Sequence, residues 1–72
     1  MDMRKLVGRN VTRCRKAAGL TQEELAVQSG FSKQYLSGLE QGRRNPTIVT
    51  IFEIAMALGV TPLDLLANDE KS

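Results

Sequence analysis

Thr21-Gln22-Glu23-Glu24-Leu25-Ala26-Val27-Gln28-Ser29-Gly30-Phe31-Ser32-Lys33-Gln34-Tyr35-Leu36-Ser37-Gly38-Leu39-Glu40-Gln41-Gly42 is the stretch that decides the fold. It opens on a capping box: the Thr21 hydroxyl can accept from the Glu24 amide while the Glu24 carboxylate reaches back. The helix so started runs to about Ser29, with Leu25 and Ala26 inward. Gly30 follows, a residue that takes positive φ without strain. Ser32 caps a second helix, about Lys33 to Gln41, with Leu36 and Leu39 inward, and Gly42 stops it. Two helices crossing steeply over a short turn need a small side chain at the crossing, and Ala26 supplies it. Phe31, Leu36 and Leu39 anchor the second helix. Its start and outer face are left open, the arrangement with which a helix-turn-helix enters a DNA major groove.

The flanks are helical too. Upstream, Val7, Val11, Cys14 and Ala18 recur at i, i+4, i+7 and i+11, predicting a helix from Met3 to Ala18 closed by Gly19. Cys14 reads as a small core residue on that stripe. Downstream, Arg43-Arg44-Asn45-Pro46 is a loop, because the residue before a proline avoids the helical region. Thr47 then caps a helix over Ile48–Leu58, whose predicted buried stripe is Ile48, Ile51, Ile54, Ala55 and Leu58. After Gly59, Thr61-Pro62-Leu63-Asp64 opens a short fifth helix, with Leu65 and Leu66 expected in the core. No stretch alternates with the period of a strand. The expectation is an all-α five-helix bundle with a helix-turn-helix, one domain over residues 1–67, and a polar tail over 68–72.

The 72 residues contain one cysteine and no histidine. An internal disulfide is therefore impossible, no metal cluster is suggested, and the commonest general base is missing. The acidic residues are scattered and mostly at caps, with no nucleophile and base to pair, so an enzyme is not expected. No cofactor and no small-molecule ligand are expected either. No apolar run approaches the roughly 18 residues of a membrane span, and Met1 to Lys5 lack a signal-peptide core, so the expected location is the cytoplasm. Residues 1–44 carry nine Lys/Arg against four acidic residues, a net +5, whereas residues 45–72 carry one against four, a net −3. That asymmetry suits a polyanionic partner on the N-terminal side, although a solvated charged face would look the same.

The chain resembles the Xre/Cro family, which includes the lambdoid phage repressors. The resemblance spans about residues 4–66 and rests on Arg15 before Gly19-Leu20-Thr21-Gln22-Glu23-Glu24-Leu25-Ala26, then on Gly30-Phe31-Ser32, Tyr35-Leu36-Ser37, Glu40-Gln41-Gly42, Asn45-Pro46-Thr47 and Ala57-Leu58-Gly59-Val60. It implies a lambda repressor-like five-helix fold that binds double-stranded DNA, usually as a dimer. It also implies residue roles. Gln22 matches a phosphate clamp at a helix start. Lys33, Gln34 and Ser37 match positions that reach base edges, where lysine can donate to guanine and glutamine can pair with adenine. Ser32, Tyr35, Arg43 and Arg44 match phosphate contacts, and Arg15 and Glu40 match a structural pair. Tyr35 can pack its ring and still offer its hydroxyl, while Arg4, Lys5 and Arg9 are as well read as solvent-facing. Gly38 departs from the family pattern, which has a long polar side chain aimed at bases there. Glycine there implies a helix weakened by about 1 kcal/mol and either a close backbone approach or, the favoured reading, fewer base contacts, concentrated on Lys33, Gln34 and Ser37.

A core this small gains from a partner subunit. Apolar residues exceed what the core stripe needs: Phe52 and Met56 flank it, and Val60, Pro62 and Leu63 follow. They are the expected homodimer interface. With neither an activation surface nor a ligand pocket, the regulator implied is a repressor. An antitoxin, a restriction–modification controller, or a regulator governed by a protein partner are the alternatives on the same fold.

Overall fold

The computed structural model describes residues 2–68. Five helices make up its regular structure: α1 (Met3–Ala17), α2 (Gln22–Ser29), α3 (Lys33–Glu40), α4 (Ile48–Leu58) and α5 (Pro62–Leu66). Each begins at a side chain that satisfies an otherwise orphaned amide. Asp2 accepts from the Arg4 amide at 3.0 Å. Thr21 and Glu24 close a reciprocal box at 3.0 and 2.8 Å. Ser32 accepts from Tyr35 N, Thr47 from Thr50 N, and Thr61 and Asp64 form a second box with Pro62 at the first helical position. α1 and α3 stop one residue short of the expected Ala18 and Gln41, which are their C-caps. Residues 69–72 of the expected tail lie outside the described residues.

The core gathers Val7, Val11, Leu25, Leu36, Leu39, Ile51, Ile54, Ala55, Leu58 and Leu65. Each fully buried leucine or isoleucine contributes about 1.5–3 kcal/mol relative to exposure. Cys14 packs against this cluster from its edge. Three expectations need correction. Ile48 is 83% exposed: in the first turn of α4 its side chain leans toward the helix N-terminus and projects past the edge of the bundle. Leu66 is exposed while Leu65 is buried, since consecutive helical residues point about 100° apart and a five-residue helix offers the core one face. Ala18 is exposed because α1 has already ended.

Sequence periodicity also missed the width of the buried face of α1. This helix packs against α3, α4 and α5, so Leu6, Gly8 and Asn10 are buried beside Val7 and Val11. A β-carbon at Gly8 would stand 2.5 Å from the Leu39 carbonyl oxygen and 2.7 Å from that of Glu40, so α1 crosses the end of α3 at a distance only glycine permits. Asn10 is wholly buried. Its amide donates to the Leu65 and Ala67 carbonyls, each at 2.9 Å, and its own oxygen accepts from Arg13 at 2.9 Å. The first helix thereby caps the last.

Candidate nucleic-acid interface

Gly30 makes the turn between α2 and α3 at φ 84°, its amide donating to the Ala26 carbonyl at 2.9 Å. Leu25, Leu36 and Leu39 have no exposed surface, which fixes the roll of α3 about its axis. With that roll, Lys33 and Gln34 are exposed and Ser37 is partly so. Ser37 accepts a hydrogen bond from Gln41 at 3.2 Å and keeps its own hydroxyl proton to donate. Lys33 stands 3.7 Å from the Glu23 carboxylate. Both partners are largely exposed, and such pairs contribute about 0–1 kcal/mol, so a phosphate or a base can take the lysine at little cost.

Beneath this surface three helices are tied by one carboxylate. Glu40 accepts from Arg15 Nε at 2.7 Å, from Arg15 Nη2 at 3.1 Å and from Gln22 Nε2 at 3.0 Å. Arg15 also donates to the Leu20 carbonyl at 2.8 Å, which holds the turn between α1 and α2. Burial pushes the Glu40 carboxyl up. The hydrogen bonds from Arg15 and Gln22 and the arginine charge outweigh it and hold the group below the usual carboxylate range. The hydrogen bond to Glu40 in turn raises the Arg15 guanidinium. The sequence pairing of Arg15 with Glu40 thus corresponds to a bidentate contact. The attachment of Gln22 to the same carboxylate had no signature, because 18 residues separate the two. Gln22 retains one side-chain N–H and its backbone amide at the start of α2.

The other expected phosphate contacts are disposed differently. The Ser32 hydroxyl oxygen is engaged as the α3 cap. Tyr35 stacks on Phe31, with ring centres 5.3 Å apart and planes at 26°. The Arg44 guanidinium lies 5.4 Å from the Tyr35 ring centre. Arg43 is exposed, and its backbone amide donates to the Gly38 carbonyl at 2.9 Å. The five residues expected at a dimer contact divide: Phe52, Met56 and Leu63 are 50%, 64% and 73% exposed, whereas Val60 and Pro62 are partly buried and Val60 packs against the core. Among the described residues, no cluster of His, Cys, Asp or Glu could hold a metal ion, and no helix is long and apolar enough to cross a membrane.

A capped tri-helical unit with an open, polar recognition helix defines a helix-turn-helix DNA-binding protein. Residues 11–65 match the model of the HTH_3 helix-turn-helix family, and the chain belongs to that family. It is 57% identical over 72 residues to the uncharacterized HTH-type transcriptional regulator y4dJ of Sinorhizobium fredii, covering 100% of this chain and 94% of the relative. Among solved structures it resembles a hypothetical transcription factor, NHTF, from Neisseria, with TM-score 0.88, 38% identity and coverage of 92% of this chain and 76% of that one. It also resembles the restriction-modification controller protein C.AhdI from Aeromonas hydrophila, with TM-score 0.83, 39% identity and coverage of 86% and 94%. The protein is a DNA-binding transcriptional regulator of this family.

Proposed function

We propose that the protein is a homodimeric repressor that lays α3 in the major groove of a two-fold operator. The observation that carries this reading is the fixed roll of α3: Leu36 and Leu39 are fully buried, and Lys33, Gln34 and Ser37 are turned outward. On this reading those three side chains meet base edges. Gln22, Ser32, Tyr35 and Arg43 meet phosphates, and Arg44 adds a second cation from the loop that follows α3. The protein acts on DNA in the cytoplasm, as a regulator and not as an enzyme. Binding-site selection from a random DNA pool tests the reading. Lys33→Ala and Gln34→Ala are each expected to lose about 1–3 kcal/mol on the selected site and to relax its sequence, whereas Arg43→Ala weakens all sequences alike. An unchanged preference in Gln34→Ala would mean that α3 presents another face.

The dimer places its contact on α4 and α5, where Phe52, Met56 and Leu63 are exposed. Large apolar side chains exposed together mark an association surface. Two recognition helices facing the same way would engage half-sites about 10 base pairs apart, one turn of the duplex. Sedimentation at tens of micromolar should show a dimer for the wild type and a monomer for Leu63→Glu. A wild-type monomer that fills single half-sites independently would refute the dimer, and an intact Leu63→Glu dimer would move the contact elsewhere.

The likeness to C.AhdI favours a second reading, control of a restriction–modification gene pair. An adjacent gene for a restriction enzyme, with the selected operator in front of it, would decide for it over a repressor of other genes.

A further inference from the structure

Gly38 is buried although it sits on the outward side of a helix whose neighbours Gln34 and Ser37 are accessible. What covers it is Arg44. A β-carbon at position 38 would stand 3.1 Å from Arg44 Nε, 3.3 Å from its Cγ and 3.7 Å from its Cδ, so the arginine stem rests directly on the helix backbone. Tyr35 is one turn earlier on the same side, and its ring receives the guanidinium. That ring is itself stacked on Phe31, which packs against the core. The chain is brought back to this position by the end of α3. Gly42 takes φ 79°, its amide donates to the Leu39 carbonyl at 3.1 Å, and the Arg43 amide donates to that of Gly38 at 2.9 Å, a Schellman closure.

Resting on the reading of α3 as the recognition helix, we propose that Arg44 is a specificity-determining residue, seated on Gly38 and Tyr35 so that its guanidinium replaces the side chain missing from position 38. Gln34 and Gly38 are one helical turn apart, so the seated cation stands beside the strip that carries Gln34. A guanidinium presents a rigid fork of donors that fits the O6 and N7 acceptors of guanine, and the ring beneath it limits the rotamers lost on binding. The partner recognised is a guanine in the major groove, next to the base met by Gln34. Glycine at 38 therefore does not empty the position. It hands the position to a residue from the following loop.

The test is selection of bound sites from a randomised duplex pool by the full chain and by Arg44→Ala, Arg44→Lys and Gly38→Gln, with thermal melting of each. The wild type is expected to select one G·C pair per half-site that both Arg44 variants lose while the rest of the site is kept. Affinity for the wild-type site should fall by about 5- to 100-fold. Gly38→Gln fills the seat, and is expected to lose preference at that same pair without melting earlier. If Arg44→Ala weakens every sequence evenly and Arg44→Lys keeps the whole site, Arg44 holds the backbone and the proposal falls. It also falls if Gly38→Gln folds and reads that pair as the wild type does. The Arg44 variants alter an exposed position and decide the matter even if Gly38→Gln does not fold. A wild type with no sequence preference would instead overturn the reading of α3 itself.

Discussion

Arg15→Ala is expected to melt far below the wild type, with a loss of about 3–5 kcal/mol. The Arg15 and Glu40 side chains are only 12% and 6% exposed. Removing the guanidinium takes two hydrogen bonds from Glu40 and the donor from the Leu20 carbonyl, leaving Gln22 to compensate a buried negative charge. In a domain of this size the loss corresponds to a shift on the order of 20–30 °C. DNA sequence preference, measured where the variant is still folded, should be unaltered. A variant that melts normally but no longer binds DNA would make Arg15 a DNA contact. The effect also has a pH window. The Glu40 carboxyl is lowered in the folded protein, so its stabilisation is present above the ordinary carboxylate range and is lost as pH falls through the folded value. The gap between wild type and Arg15→Ala should therefore narrow in acid, as titration melts followed by circular dichroism would show.

The second large effect is on binding. Lys33, Arg43 and Arg44 give each subunit at least three cations on α3 and the loop that follows it. Each neutralised phosphate contributes about −0.9 to the slope of log affinity against log salt. For a dimer the slope should be steeper than about −4, so raising monovalent salt from about 50 to 200 mM should weaken operator binding by roughly two orders of magnitude or more. Fluorescence anisotropy over a salt series measures it. A flat response would remove the electrostatic interface described for α3 and its loop.

What was legible in the sequence is what local chemistry fixes. Thr21, Ser32, Thr47 and Thr61 each marked a helix start, because a cap acts within three residues of itself. Gly30 marked the turn, and the stripe of Leu25, Leu36, Leu39, Ile54 and Leu58 marked the core. Periodicity failed at the ends of elements, where Ile48 has the right spacing but projects into solvent and Leu66 is only partly covered. It failed again where burial is made by distant chain. Asn10 reads as a polar residue until α5 is laid against it, and Gly8 reads as a helix defect until the carbonyls of α3 are seen to need its missing β-carbon. At the candidate site, the outward placement of Lys33 and Gln34 was legible from motif position. The Gln22–Glu40 bond was not, since 18 residues separate the two, and neither was the seat of Arg44 on Gly38, which follows from the turn at Gly42 and not from a helical spacing.

The Asn10 bonds also set an order of events during synthesis. Asn10 leaves the ribosome early, but the carbonyls that satisfy its amide, those of Leu65 and Ala67, are 55 and 57 residues later. Until that segment emerges, a polar group destined for a fully dry position stays hydrated, and the flank of α1 that α5 covers stays open to water. The α2–α3 hairpin can form locally on the nascent chain, yet the first helix cannot be sealed against its neighbours. Locking is thus deferred until α5 has been made. A product ending before α5 would lack that lock and leave the flank of α1 that α5 covers open to proteases.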